Sequence, residues 1–510
     1  MSGGNTPSAQ VAPLNALLPD RRWRWVALLL ALLVLGRLLA MAGLPLMDTT
    51  EARYADIGRR MAELGDWVTP WHDQGQPFWG KPPLSFWLTA ASFRLLGFTE
   101  FAARLPHFLC MLGVVALVAQ LARSRDEAWT AVALLGGAVL PLVAAGAVMT
   151  DEALVLGTTL AMVSFWHALH APAAQARNAG WWFFVALAIG LLAKGPLALV
   201  LTGLPLGAWV LLTRRFNAAR RALPWLPGLA LMATLVLPWY ALAEHRTPGF
   251  LAYFLIGEHW HRFVTPGWQG DLYGTAHRFP PGAIWAFAVV AVLPWSVLTP
   301  LAAWRHRHGG GRVGTAAPAG AGAAHEVIDR SRVLYLACWA LAPLVFFTAA
   351  RNIIWTYALP ALPALALLGA GFLLQRVGSQ ATPRWLAAGL ALTLLGGVVG
   401  VAQLRHSGDM AMRSSRELVA QWLQAGGRLD GMGGPALVIV GQRQFSASYY
   451  SHGQARHVDR AEDVESQLPT GPDRSAGAVV ALGVGHETEL PQAQRLGQFG
   501  HYLLVRLKPS

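Results

Sequence analysis

Eleven apolar segments, each near the length a helix needs to cross a bilayer, constrain this chain more than any other feature. They run over 25–46, 104–122, 128–149, 153–169, 181–194, 196–212, 223–243, 283–303, 333–350, 355–375 and 385–403. A spanning helix takes about 20 predominantly apolar residues. The composition agrees: 54% of the 510 residues are hydrophobic and 13% are charged, where a soluble domain carries about 25% charged residues. The chain is therefore predicted to be an all-α polytopic membrane protein with a small polar remainder.

The net charge of +13 does not point to nucleic acid, because the basic residues sit in short clusters between apolar runs, as the orientation of membrane helices requires. Cys110 and Cys338 both fall in apolar segments, so no disulfide framework is implied. Arg21, Arg22 and Arg24 precede an apolar run to Met47 in the manner of a signal peptide, and Ala40-Met41-Ala42 has the form of a cleavage site. The run is long enough to span and more spans follow, so it is read as a retained first helix. The chain shows no P-loop, no GxGxxG before a helix and no zinc-ligand spacing, so no machinery for nucleotide-driven transport is visible.

With residues 1–24 as a cytoplasmic tail, the inner loops carry Arg123 and Arg125, Arg177, Arg214, Arg215, Arg220 and Arg221, Arg305, Arg307 and Arg312, then Arg376 and Arg384. The Gly/Ala-rich stretch 309–324 reads as a flexible inner linker. The outer side then receives 47–103, Thr150-Asp151-Glu152, 244–282, Arg351-Asn352 and the tail from about 405. The expected organisation is a transmembrane domain over 25–404, whose first outer loop is 47–103, and a small periplasmic α/β domain over 405–510.

The first outer loop is patterned. Tyr54, Ile57, Gly58, Met61 and Leu64 recur at helical spacing among Arg53, Asp56, Arg59, Arg60 and Glu63, which predicts an amphipathic helix on the membrane surface. Pro82 or Pro83 opens a second helix, Leu84 to Leu96, and Gly97 closes it. In the tail, Ser414–Leu423 reads as helix and Ala436–Val440, Ala478–Leu482 and Tyr502–Val505 as strands.

Ionisable groups beside a bilayer are costly and usually functional, which singles out several positions. Asp48 and Glu51 have the spacing of a capping box, and either carboxylate is also placed to act as a general base. Arg53 and Lys81 suit either lipid headgroups or a bound phosphate. Lysine is scarce here: Lys81, Lys194 and Lys508 stand among 40 basic residues. Lys194, between two apolar runs, requires a cavity, a carboxylate or a turn. Asp151 opens an apolar helix on the same side as Asp48. Glu258-His259-Trp260-His261-Arg262 suits an interfacial belt. Its Glu and His also offer groups for a divalent metal or a proton shuttle, but no spaced set of ligands accompanies them and no cofactor is assigned. Arg351 and Tyr357 begin an outer-facing helix, each able to anchor at the interface or to contact phosphate.

The stretches EARYADIGRRMAELGDWVTP, KPPLSFWLTAASFRLLG and FAARLPHFL, followed by LAKGPLALVL, FLIGEHWHRFVTPG and TYALP, resemble the integral-membrane glycosyltransferases related to the dolichyl-phosphate-mannose protein mannosyltransferases. The likeness is to the bacterial branch that transfers 4-amino-4-deoxy-L-arabinose to lipid A, and it runs from about residue 45 to 375. The resemblance implies a GT-C fold of eleven to thirteen helices with interfacial helices in the first outer loop. It implies inverting transfer of a sugar from a polyprenyl-phosphate donor to an envelope acceptor (lipid A, another glycolipid or a protein) at the outer face of the bacterial inner membrane.

Carried onto this chain, it makes Arg53 and Lys81 the donor-phosphate groups, Tyr357 an aromatic hydroxyl near that phosphate and Asp151 the second-loop acid. The residues themselves add Arg351 as a further phosphate contact, Asp48 and Glu51 beside Asp151 as candidate bases, and Tyr54, Glu258 and His259 as acceptor or positioning groups. The chain departs from the branch at Thr50, where an Asp is usual, at Gly80, where a Glu precedes the lysine, and at Phe78, where a Tyr stands. The alternative function is a transporter or flippase for a lipid-linked anion, using the same cations without chemistry.

Overall fold

The computed structural model describes residues 20–507 apart from 74, 275–276, 278, 309–322, 432–433, 468–476 and 485–492. The expected linker up to residue 322, and the expected N-terminal tail up to residue 19, lie outside the described residues. Among the described residues, eight helices are long and apolar enough to cross a membrane; a further pair, Ala283–Ala291 and Trp295–Arg307, is bent by 72°. Leu197–Thr213 is apolar but 17 residues long, and the segment predicted over 128–149 is split into Arg125–Gly136 and Val139–Ala144. All eleven apolar segments are thus helical, but three are short, broken or bent. The break has a packing cause: a Cβ on Gly137 would lie 2.4 Å from the Leu390 side chain and 2.9 Å from Trp295, so only glycine lets these elements close up there.

Two helices position the polar end of the bundle. Asp151–His170 and Ala173–Lys194 form an antiparallel pair joined by a tight turn, so Asp151, which opens the first, and Lys194, which ends the second, lie at the same end. Gly157 permits the close approach: a Cβ there would meet the Ala186 carbonyl and the Gly190 amide, each at 2.9 Å. Small residues at such contacts let membrane helices pack backbone to backbone.

The first outer loop holds the two predicted helices, Thr50–Leu64 and Leu84–Leu96. Gly65 and Gly97 end them in left-handed or open conformations at φ 68° and 81°. Between them β1 (Trp71–Asp73) and β2 (Gln76–Pro77) pair as a short hairpin. Thr50–Leu64 does not present its polar face to lipid headgroups or water, as the amphipathic pattern suggested. Asp56 and Arg59 on that face are 2% and 1% exposed, because the tail covers them.

The capping box expected from Asp48 and Glu51 does not form: the helix is entered at Thr49 and the Asp48 amide donates to the Arg413 carbonyl. Glu51 accepts from the Met47 amide at 3.1 Å, whereas Asp48 turns away to the tail. Arg104 fixes this entry: its guanidinium bonds the carbonyls of Met41, Leu44 and Pro45 and grips both Glu51 oxygens at 2.8 Å.

The tail is a five-stranded sheet in the order β4-β3-β5-β7-β6, where β3 is Ala436–Val440, β4 Ala455–Val458, β5 Ala478–Gly483, β6 Gln494–Phe499 and β7 Tyr502–Leu507. The three predicted strands are present; β4, β6 and the helix Phe445–Tyr450 were not foreseen. β3 pairs in parallel with β4 and β5, and β7 pairs antiparallel with β5 and β6. Alternation sorts the core onto two faces: Leu437 and Ile439 pack with Trp422 of the helix Arg416–Gln424, and Val438 and Val440 pack opposite with Val458 and Val464. The helix Phe445–Tyr450 seats the sheet on the first loop. Tyr450 donates to Glu100 at 3.0 Å and accepts from the Leu46 amide at 2.8 Å.

Because Glu51 and Arg104 are mostly buried, at 17% and 5% side-chain exposure, removing one charge leaves the other without its counter-ion, a change that costs about 3 kcal/mol or more. Glu51→Gln should therefore lower the thermal midpoint in detergent by several degrees. Arg416→Ala, which breaks the Arg416–Glu100 pair where the arginine is 49% exposed, should stay within about 0.5 kcal/mol of the parent.

Candidate functional site

Three groups of buried charge meet at the end of the bundle beneath the tail. The first surrounds Lys194. Its ammonium donates to Asp151 Oδ1 at 2.7 Å and lies 5.1 Å from the centre of the Tyr357 ring. Asp151 Oδ2 makes no hydrogen bond among the described residues. The two nitrogens of His259 face the carbonyls of Phe254 at 2.8 Å and Lys194 at 3.2 Å.

The second group surrounds Glu258. The π-wound helix Ala252–His261 carries it inward, 4% exposed at the side chain. It accepts from Lys81 at 2.8 Å, from Arg262 at 3.1 Å and from the Tyr253 hydroxyl at 3.3 Å. Burial alone would raise its pKa, but Lys81 and then Arg262 outweigh it and bring the carboxyl down to about 2. Glu258 is therefore a fixed counter-charge at any physiological pH. Arg262 also pairs with Asp271 at 3.2 Å. Burial works against its charge, but Glu258, Tyr357, Asp271 and Tyr54 together raise its pKa.

The third group surrounds Arg53. Its guanidinium donates to the Tyr273 carbonyl and lies over three rings, Tyr54 at 5.3 Å, Phe78 at 5.7 Å and Phe445 at 5.5 Å. The Tyr273 hydroxyl donates to Pro77 and accepts from the Trp79 amide at 2.9 Å, so one residue ties Arg53 to the strand leading to Lys81. A Cβ on Gly80 would meet the Phe78 ring at 2.9 Å, and the carboxylate that meets Lys81 is Glu258. Two buried donors, Arg53 Nε and Arg262 Nε, have no partner among the described residues.

Arg53, Tyr54, Lys81, Asp151, Glu258, His259 and Tyr357 thus belong to one connected end of the bundle. Three other candidates lie apart. Asp48 accepts from the Ser446 amide at 3.0 Å and from its hydroxyl. Glu51 is taken by Arg104. Arg351 is exposed, and its bond to the Phe263 carbonyl at 3.1 Å uses the backbone amide. Sequence reading singled out Lys194 without its partner and missed Asp271, Tyr253, Tyr273 and Phe445. The four-residue spacing of Glu258 and Arg262 was a usable signal; the tail carried none. No three His, Cys, Asp or Glu side chains converge as metal ligands among the described residues.

These charges lie at one end of a multi-helix membrane bundle, beneath the two helices of the first loop. Residues 22–254 match the dolichyl-phosphate-mannose-protein mannosyltransferase family, the family resembled by the first-loop residues. The chain is 32% identical over 369 residues to the undecaprenyl phosphate-alpha-4-amino-4-deoxy-L-arabinose arabinosyl transferase of Pseudomonas aeruginosa, covering 70% of this chain and 61% of that protein. It is 30% identical over 360 residues to the enzyme of the same name from Serratia proteamaculans, covering 68% and 59%. The chain therefore spans about three fifths of the length of these curated relatives. The crystal structure of ArnT from Cupriavidus metallidurans bound to undecaprenyl phosphate superposes with a TM-score of 0.72 at 20% identity, covering 95% of this chain and 98% of that one.

The contact between loop and tail holds two groups that titrate in opposite senses. Burial pushes Asp48 up to about 6 despite the Ser446 hydrogen bonds, and burial with Arg443 and Arg53 nearby pushes His72 down to about 4. Asp48 stabilises the fold most when protonated, and that contribution fades as pH rises from about 4 through 6. His72 stabilises when neutral, and that contribution is lost as pH falls from about 6.5 towards 4. In the parent the two slopes offset. Relative to it, the unfolding free energy of Asp48→Asn should rise more steeply between pH 4.5 and 6.5, and that of His72→Phe should fall, each by up to about 2 kcal/mol, as read by denaturant unfolding across that range.

Proposed function

We propose that this chain transfers a sugar, with inversion, from a polyprenyl-phosphate donor of the undecaprenyl type to an envelope acceptor. The acceptor is lipid A, another glycolipid or a protein. Transfer takes place at the outer face of a bacterial inner membrane. The charge clusters between apolar runs orient the N-terminus inward, which puts the 405–510 domain outside and the site with it. The observation that carries this reading is the pair of unpartnered buried donors, Arg53 Nε and Arg262 Nε, flanking Lys81. Buried arginine donors at hydrogen-bonding capacity for an anion fit a phosphate.

As the glycosidic bond breaks, the sugar carbon gains positive character and the leaving phosphate gains negative charge. Arg53 and Arg262 meet that charge through in-plane N–H groups, Lys81 as a point charge, and Tyr357 through its hydroxyl. Preorganised cations aimed at developing charge are often the largest catalytic contribution. Glu258 holds Lys81 and Arg262 in place. Asp151 is the base this geometry favours: Lys194 orients it through Oδ1, which leaves Oδ2 to take the acceptor's proton. Asp48 and Glu51 are engaged elsewhere. No nucleotide enters, because the sugar–phosphate bond stores the driving force.

The test uses purified protein, a labelled polyprenyl-phosphate sugar and a membrane extract. Arg53→Ala and Lys81→Ala should each lower covalent transfer by about 100-fold or more while leaving membrane insertion intact. Among Asp48→Asn, Glu51→Gln and Asp151→Asn, the last should show the dominant loss of kcat. Wild-type turnover in both cation variants would reject the site. Lipid movement without covalent transfer would establish the transporter alternative.

A further inference from the structure

The tail touches the loop helix on both sides of Arg53. Five residues before it, Asp48 accepts from the Ser446 amide at 3.0 Å and from the Ser446 hydroxyl. Three residues after it, Asp56 accepts from the Ser448 hydroxyl at 2.8 Å. Between these grips the Phe445 ring, 8% exposed, lies against the Arg53 guanidinium at 5.5 Å and against the Arg443 guanidinium at 5.3 Å. The two cations differ. Arg443 is neutralised by Asp73 at 2.6 Å, whereas Arg53 has no carboxylate partner among the described residues. Aromatic faces hold a guanidinium without consuming its in-plane N–H groups, so a ring in this place fixes Arg53 while leaving its donors for an anion. A carboxylate in the same place would satisfy those donors and compete with a phosphate.

We propose that Phe445 is a positioning residue for the donor phosphate, acting through Arg53, so that the small C-terminal domain completes the donor site rather than standing apart from it. The inference rests on the phosphate role proposed for Arg53. The ring restricts the guanidinium, Ser446 and Ser448 anchor the ring's short helix to the loop, and separation of the two would free Arg53 and weaken its hold on the lipid phosphate.

The experiment measures binding of undecaprenyl phosphate to the purified full-length protein in detergent, together with the thermal midpoint. Phe445→Leu keeps apolar bulk and removes the aromatic face. It should raise Kd by about three- to ten-fold, the size of a partly exposed cation–π contact, with the midpoint within a few degrees of the parent. Phe445→Trp should restore binding, which loss of packing alone does not predict. Ser446→Ala, which loosens the grip and leaves the ring in place, should weaken binding in the same direction. Arg53→Ala separates the two levels of the argument. If it binds as tightly as the parent, the phosphate reading of Arg53 fails. If it loses binding while Phe445→Leu or Ser446→Ala binds as the parent does, the positioning role of Phe445 falls and the proposed function stands. Failure of Phe445→Trp to restore binding also overturns the positioning role.

Discussion

The buried pair between Asp151 and Lys194 organises the end of the bundle on which the rest of the site is built. A lone ammonium at the edge of a hydrocarbon layer is expensive. Here the cost is met by a carboxylate at 2.7 Å, brought opposite by two antiparallel helices that touch through Gly157 and Gly190. Once Lys194 is held there, its carbonyl receives His259, its ammonium faces Tyr357, and the adjoining turn of Ala252–His261 delivers Glu258 to Lys81. Pairing between opposite charges therefore propagates from a single helical hairpin into three segments far apart in the chain.

The same rule distributes the roles of the acids. In a low-dielectric site a carboxylate is costly unless it finds a cation or a set of donors, and what Glu51, Asp56, Glu258 and Asp151 find differs. Glu51 is locked by the Met47 amide and by Arg104, which the carbonyls at the end of the first helix hold in turn. Asp56 is enclosed by Arg59, Arg60 and Ser448, and although burial opposes its charge, Arg59 and Arg60 lower its pKa. Glu258 is neutralised by two cations. Asp151 keeps one oxygen unused. Among the cations the asymmetry is reversed, since Arg53 alone of the groups described around Tyr273 is held by rings and a carbonyl instead of by a carboxylate.

The tail changes the meaning of the first loop. An isolated amphipathic helix at 50–64 would lie on the membrane with its charges wet. Covered by the helix Phe445–Tyr450 and the turn after it, it becomes a largely buried layer whose polar face meets the Ser448 hydroxyl and His452. That arrangement couples the sheet to the polar end of the bundle through Asp48, Asp56, Asp73 and Glu100.

Much of this was legible from residue order. Membrane-length runs, helical spacing in 54–64, Pro82 and Pro83 before Leu84, and alternation in 436–440 and 478–482 are local patterns, and local patterns report local structure. The first-loop motif carried the resemblance to the family that residues 22–254 match. What lay beyond reach were pairings across hundreds of positions: Asp151 with Lys194, Lys81 with Glu258, Asp48 with Ser446. The sequence by itself determined that the chain is a multi-helix membrane protein and where its cations cluster, because hydropathy, period and charge are properties of neighbouring residues. The tertiary structure alone decided which carboxylate is spoken for, which arginine keeps free donors, and that the tail closes over the loop. A buried charge selects its partner by distance and exclusion of water, and neither exists until the helices have packed.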